Sequence, residues 1–265
     1  VKDFRLIAVD LDGTLLRSDR SISARTRRAV AAARDAGVDV VFVTVRHPDA
    51  IAKYVDALAL TGVAICCGGS AVCEVPSGKL LWHRSIPAHD AATVAGRLTD
   101  AYPGLRFGWV PETGALGYDT RYTAPLLIGP AYHGDPREID RPVLKVWAIG
   151  PELEGELPAG VPDLIAGLAE LNHHDKGVAD LVVPGVSKVG TLASLCADRG
   201  IQAHEVIAFG DTFADLGMIE WAGHGVFMAN ARPELYDHAD EIAPSCDDDG
   251  VAVVLERVLG LKELV

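Results

Sequence analysis

Asp10 and Asp12 stand two residues apart in the run LIAVDLDG, residues 6–13. In an extended segment residues i and i+2 project to one side, so both carboxylates face one way while Leu11 turns away. Carboxylates that close repel unless a cation or a proton lies between them. One is therefore a candidate metal ligand and nucleophile, and the other a candidate acid/base. The alternative is an Asx turn closing a strand. Asp211 and Asp215 lie four apart at an expected helix start and face the same way if that turn is helical, although acidic residues also suit a helix N-terminus as caps. Lys188 sits beside Ser187 at another expected helix start, where the backbone dipole disfavours a cation unless an anion offsets it. A solvated side chain is the plainer reading, yet only seven of the 24 basic residues are Lys. Thr44 closes an apolar run with a hydroxyl, as a functional group or as an ordinary cap.

These residues fall at the ends of expected strands. Residues 6–9, LIAV, stop at Asp10; residues 38–43, VDVVFV, stop at Thr44-Val45-Arg46; residues 63–67, VAICC, stop at Gly68-Gly69-Ser70; residues 206–209, VIAF, stop at Gly210-Asp211. β-branched, continuous apolar runs read as strands buried on both faces. Between them, Ser23 is an expected N-cap and Gly37 a stop, a second helix covers about 49–60, and a third covers 187–199 before Gly200. A helix begins near Phe213, and GVAVVLERVLG near the C-terminus reads as an amphipathic helix. Strands alternating with helices make a parallel sheet with crossover helices, and ligands of such sheets bind beyond the strands' carboxyl ends. Four polar strand ends on one edge make a site.

Residues from about 80 to 183 have another texture. Strands are expected at 82–86, 105–110, 115–118 and 143–149, with helical stretches at 90–102 and 162–171 and turns at Pro103-Gly104 and Thr113-Gly114. This is an α+β insertion in an α/β domain, with residues 1–82 and 184–265 as a discontinuous core and 83–183 as the insertion. The segments Asn172-His173-His174-Asp175 and Tyr132-His133-Gly134-Asp135 read as solvated loops, since adjacent His residues lack ligand spacing on a helix face.

Composition narrows the function. The 265 residues carry a formal charge of −13, with 49% hydrophobic and 23% charged residues, an ordinary globular balance. The acidic surplus argues against nucleic acid, which wants a basic stripe. No run of about 18 apolar residues exists to span a membrane, and VKDFRLIAVD lacks signal-peptide architecture. Five Cys, at 66, 67, 73, 196 and 246, have no CxxC spacing, so buried reduced thiols and a cytoplasmic setting are expected. Oligomeric state is left open.

Taken together, DLDGTLL (10–16), Thr44 with Arg46, GVSK (185–188) and GDTFAD (210–215) resemble the haloacid dehalogenase superfamily. The long insertion, with GHGVFMANA (223–231) and DDDGVAVVLERVL, is similar to its Cof-type (class IIB) branch, so the likeness spans nearly the whole chain. The resemblance implies a Rossmann-like parallel-sheet core with an inserted α+β cap of C2 type that closes over the site and sets specificity. It implies a Mg2+-dependent phosphatase of a small-molecule phosphate ester, with sugar phosphates as the first class by family analogy. Asp10 is then the nucleophile that becomes an aspartyl-phosphate, and Asp12 protonates the leaving alkoxide and later takes a proton from water. Asp10, the main-chain carbonyl of Asp12, and Asp211 hold Mg2+, with Asp215 in support. Thr44, Lys188 and main-chain N–H groups of Leu11 and Val45 hold the phosphoryl oxygens.

Three positions depart from the branch pattern. Val45 stands where it has Gly, Gly68 where it has Asn, and Ala214 where it has Asn, which implies retained chemistry in an altered pocket. Gly68, Gly69 and Ala214 are therefore candidate substrate residues, as are the cations Arg46, Arg121 and Lys145 for a second anionic group. The alternatives are a phosphosugar mutase of the same fold and a weakly active phosphometabolite-binding protein.

Overall fold

The computed structural model describes residues 4–122, 130–173 and 176–260. The chain divides into two compact units: Val1–Arg46, Ile51–Leu81 and Ser187–Val265 form one, and His47–Ala50 with Trp82–Val186 the other.

The first unit is built on strands β1 (Leu6–Val9), β2 (Asp39–Phe42), β12 (Val206–Gly210), β13 (His224–Met228) and β14 (Glu241–Ala243). They form one sheet in the order β14-β13-β12-β1-β2, parallel throughout. The apolar runs form these strands because both faces are covered: Leu6, Ala8, Ile207 and Ala208 are fully buried. Helices α1 (Ala24–Asp35), α2 (Pro48–Ala57), α5 (Lys188–Asp198), α6 (Leu216–Trp221) and α7 (Gly250–Val258) connect or follow them. Ser23 caps α1 by accepting from Thr26 N, Ser187 caps α5 by accepting from Gly190 N, and Gly37 follows α1 at φ +81°.

The third expected strand runs parallel to its neighbour in the sheet, as expected, but joins it weakly. Strand β3 (Gly62–Cys66) touches the parallel sheet at the single bridge Val43↔Ile65 and pairs antiparallel with β4 (Ala71–Val75), which leads to β5 (Leu80–His83). The turn at 67–70 reverses the chain at once, and a parallel partner needs a crossover of a dozen or more residues.

The second unit holds α3 (Ala88–Ala101), α4 (Val161–Ile165) and six strands: β6 (Arg106–Pro111), β7 (Leu116–Asp119), β8 (Ala131–Gly134), β9 (Val143–Glu154), β10 (Glu170–His173) and β11 (Lys176–Val182). Their order is β10-β11-β9-β6-β7-β8, and the helices pack on one face through Val94, Leu98, Phe107, Trp109 and Leu181. Several expectations are corrected here. The strand placed at 82–86 is centred earlier, with Ile86 bridging Val143 instead. The helix placed at 162–171 ends at Ile165, because Leu171 pairs with Leu181 in the sheet. The two segments read as solvated loops enter strands: Tyr132 and His133 lie in β8 and Asn172 in β10, while His174 and Asp175 lie outside the described residues. No helix among the described residues is long and apolar enough to cross a membrane.

Candidate active site

In the parallel sheet Val9 registers with Phe42 on one side and Phe209 on the other. The residues that follow these three strands therefore emerge together. Asp10 leaves β1 with its N–H still donating to Phe209 O at 3.0 Å; Thr44 follows β2, donating its N–H to Ile65 O at 2.9 Å; Asp211 follows Gly210 at the end of β12.

Lys188, the first residue of α5, completes the cluster. Its ammonium donates to Asp10 Oδ1 at 2.5 Å and to Asp215 Oδ1 at 2.6 Å. All three side chains are buried, Lys188 to 4% exposure. The two carboxylates are the anions that a cation at a helix start requires. Burial alone would lower the Lys188 pKa, but the charges of Asp10 and Asp215 carry it above the ordinary lysine value. Burial raises Asp10 well above the usual carboxylate range, and Lys188 pulls in the opposite direction.

Asp215 does two jobs. Its Oδ2 accepts from Asp211 N at 3.2 Å, Thr212 N at 3.1 Å and Thr212 Oγ1 at 3.0 Å. The cap expected at this helix start and the charged partner of Lys188 are thus one residue. Asp211 accepts from Thr14 Oγ1 at 2.9 Å. Burial, then the charge of Asp215, pushes the Asp211 carboxyl up to about 7.

Carboxylate oxygens of Asp10, Asp211 and Asp215 lie within 4.8 Å of one another. Three acids share one ammonium, which leaves the cluster short of positive charge. A hard divalent cation with oxygen ligands fits that donor set and that deficit. Gly13 makes the approach possible: at φ +81°, a Cβ there would lie 2.2 Å from Asp211 Oδ2.

Asp12 stands apart from this cluster. Its side chain is 45% exposed, and both of its oxygens accept from Arg46, at 2.6 Å from Nε and 2.6 Å from Nη2. Arg46 stacks over Tyr54, 5.2 Å from the ring centroid, and the bond to Asp12 raises its pKa. Arg46 N also donates to Thr44 Oγ1 at 3.1 Å, so the fully buried Thr44 hydroxyl organises the same turn. Gly68 N donates to Thr44 O at 3.0 Å, and Gly69 O accepts from Thr191 Oγ1 at 2.8 Å, which ties the 67–70 turn to β2 and α5. Leu11 is fully buried, Val45 follows Thr44 in the turn, and Ala214 lies in the helical turn Phe213–Asp215.

Arg121 and Lys145 each sit in an ion pair of their own. Both belong to the second unit, where Arg121 pairs with Asp119 at 2.6 Å and Lys145 with Asp180 at 2.8 Å. Thr14 and Asn230 were not singled out individually from sequence. Asn230 Nδ2 donates to Gly13 O at 2.8 Å, and its Oδ1 accepts from Cys246 N at 2.9 Å, so it pins the loop after Asp12. Its signal was the MANA run, a polar amide directly after a buried strand.

Comparison with known proteins agrees with this geometry. A family model described as haloacid dehalogenase-like hydrolase matches residues 7–255. The chain is 29% identical to the pyridoxal phosphate phosphatase YbhA of Escherichia coli, over 94% of this chain and 96% of that one. It is also 29% identical to the phosphoglycolate phosphatase of Methanothermobacter thermautotrophicus, over 97% and 99%. Among solved structures, the subclass IIB sugar phosphatase BT4131 superposes with a TM-score of 0.83 at 19% identity, over 97% of this chain and 100% of that one, a likeness of fold. The chain belongs to the haloacid dehalogenase-like hydrolase family.

Proposed function

We propose that the chain is a Mg2+-dependent phosphomonoester hydrolase of small phosphorylated metabolites that works through an aspartyl-phosphate on Asp10. The single observation that carries this reading is the buried Lys188 bridge between Asp10 and Asp215, with Asp211 alongside, at the carboxyl edge of a parallel sheet. Asp10, the main-chain carbonyl of Asp12, and Asp211 are the residues that would hold Mg2+, supported by Asp215. The ion supplies charge neutralisation for the phosphoryl oxygens when bound.

In this reading Lys188 pulls the buried Asp10 toward its anionic form, and the free Asp10 oxygen attacks phosphorus while the P–O bond to the alcohol breaks. Asp12 gives its proton to the departing oxygen, then takes one from the water that attacks phosphorus and releases Asp10. Thr44, Lys188 and the N–H groups of Leu11 and Val45 hold the phosphoryl oxygens, so most of the rate gain comes from positioning and charge. Arg46 keeps Asp12 oriented and must yield one carboxylate oxygen before Asp12 carries a proton. Residues 83–183 act as the specificity cap, and sugar phosphates are the first substrate class. All five cysteines are buried and none is in a disulfide, which supports a reducing, cytoplasmic setting.

The test is phosphate release from a panel of sugar, nucleotide, three-carbon and aryl phosphates with Mg2+ and with EDTA. Release that requires Mg2+ supports the reading; no release from any ester with any divalent metal contradicts it.

A further inference from the structure

Helix α5 carries Lys188 in its first turn, and that turn is fastened to the rest of its unit by a side-chain hydrogen bond that leaves the helix. Inside a helix a Ser or Thr hydroxyl commonly donates to the carbonyl four residues back. Ser194 follows that habit on α5, donating to Gly190 O at 2.9 Å, and Thr99 follows it on α3, donating to Ala95 O at 2.7 Å. Thr191 departs from it. Its main-chain N–H donates to Ser187 O at 3.1 Å, while its hydroxyl donates to Gly69 O at 2.8 Å, across 122 residues of chain. Thr191 is only 6% exposed, so this bond is made out of water.

The acceptor belongs to the turn that also holds the residues after β2. Cys67 N donates to Arg46 O at 2.8 Å and Gly68 N to Thr44 O at 3.0 Å, so this turn is bonded to the backbone on which Thr44 sits. Gly69, at φ +108°, lies directly on the start of α5: a Cβ there would be 2.4 Å from Ser187 O and 3.0 Å from Lys188 N. The turn's own hydroxyl, Ser70 Oγ, is buried and has no hydrogen-bond partner among the described residues, so it does not fasten the turn. On another flank α5 rests on α6, where a Cβ at Gly217 would lie 2.9 Å from Val189 Cγ1. Packing contacts such as these leave room for sliding, whereas a hydrogen bond fixes a direction and a length. All of these residues belong to the first unit.

We propose that Thr191 is a positioning residue whose hydroxyl, on the hydrolase reading above, fixes where Lys188 stands relative to Thr44. Those are the two side chains that hold the phosphoryl oxygens in that reading. Lys188 reaches Asp10 and Asp215 through a flexible four-carbon stem, so its ammonium keeps one place only while the backbone at the root of the stem is held. Thr191 sits three residues on from that root, in the same helical turn, and ties it to the turn that Thr44 and Arg46 share. Removing the hydroxyl leaves the buried Gly69 carbonyl short of its donor and frees the first turn of α5 to shift. A misplacement of about 1 Å costs on the order of 10²-fold in rate even when its source lies outside the chemistry.

The test compares Thr191→Ser, which keeps the hydroxyl, with Thr191→Val and Thr191→Ala, which remove it, in the full chain with Mg2+. Thr191→Val should lower kcat on p-nitrophenyl phosphate roughly 10-fold, a part of the cost of a full 1 Å displacement, with KM little changed. Thr191→Ser should restore most of kcat. If the valine variant does not fold, Thr191→Ala against Thr191→Ser carries the same comparison. A hydroxyl that only stitches the fold would lower Tm in the variants without it and leave kcat per folded molecule at the native value, and that result overturns the proposal. So does an equal loss of kcat in Thr191→Ser. The Lys188 ammonium gives a second readout that needs no turnover. Its 1H–15N resonance, assigned by its disappearance in Lys188→Met, should shift or broaden in Thr191→Val and return in Thr191→Ser; an unmoved resonance overturns the proposal. Absence of phosphate release by the native chain overturns the hydrolase reading, and the resonance then still decides whether Thr191 places Lys188.

Discussion

Lys188 Nζ lies 2.5 Å from Asp10 Oδ1, although 178 residues separate them in the chain. The bond joins the first turn of α5 to the end of β1, and the same ammonium reaches Asp215 beyond β12. A lysine in this position both stabilises two buried anions and points its charge at any group that Asp10 attacks.

Replacing that charge should remove both effects. Lys188→Met is expected to lower kcat by roughly 10²- to 10³-fold, the range for losing one preorganised charged donor. It should also lower Tm, since two buried carboxylates lose their cation. Lys188→Arg should recover stability better than activity, because the longer planar group cannot occupy the same point. Single-turnover rates and thermal melts separate the two effects.

The Asp12–Arg46 pair predicts a dependence on leaving group. Protonation matters for an alkoxide and little for p-nitrophenolate, which departs readily as an anion. Asp12→Asn is expected to cost about 10²-fold or more on alkyl phosphates and much less on p-nitrophenyl phosphate. Arg46→Ala should follow the same pattern at smaller amplitude, because it disorients Asp12 without removing it. Equal losses on both classes of ester would assign Arg46 to phosphate binding instead.

Gly13 predicts a metal effect. Gly13→Ala forces a side chain to within 2.2 Å of Asp211 Oδ2 at a φ of +81°. The carboxylate must move, so the Mg2+ concentration for half-maximal activity should rise roughly 10- to 100-fold, as for other groups that orient metal ligands. A Mg2+ titration of activity checks it.

Asp10, Thr44 and Asp211 were legible in sequence because each follows a strand buried on both faces, whereas Lys188 and Asp215 lie at helix starts. LIAV, DVVF and VIAF are short, apolar and bounded by turn signals, as interior strands are, and ligands collect beyond their carboxyl ends. Ser23 and Ser187 were legible as caps for local reasons. What sequence could not supply was pairing. Nothing local says that Arg46 spends Nε and Nη2 on Asp12, 34 residues away, instead of on an incoming anion. The smaller unit was harder still. AYHG and ELNH have no apolar alternation, and they become strands β8 and β10 only because neighbours supply their backbone partners. The helix read into 162–171 lost to the same competition, with Gly167 at φ +74° and Leu171 drawn into the sheet.

Stability at low pH should report a second ion pair. Glu256 is buried on α7, and the Arg25 guanidinium, donating to it at 2.6 Å, holds its carboxyl below the ordinary value of 4.5. A depressed acid pKa contributes stability that is complete above the unfolded value and is lost as pH falls through the folded one. Arg25→Met should therefore lower Tm by roughly 2–4 °C near pH 7, about 1 kcal/mol for a partly solvated pair. The difference from the native chain should vanish once the pH drops below the carboxylate range. Melts of both proteins between pH 3 and 7 give the curve.

The central claim is that Asp10 forms a bond to phosphorus. The most direct measurement is Mg2+-dependent phosphate release by the native chain and by Asp10→Asn, with both proteins shown folded by their melts and the enzyme quenched in acid during turnover for mass analysis. The account predicts release by the native chain only, with one phosphoryl group recovered on the peptide that contains Asp10. Phosphate release by Asp10→Asn at the native rate would contradict it.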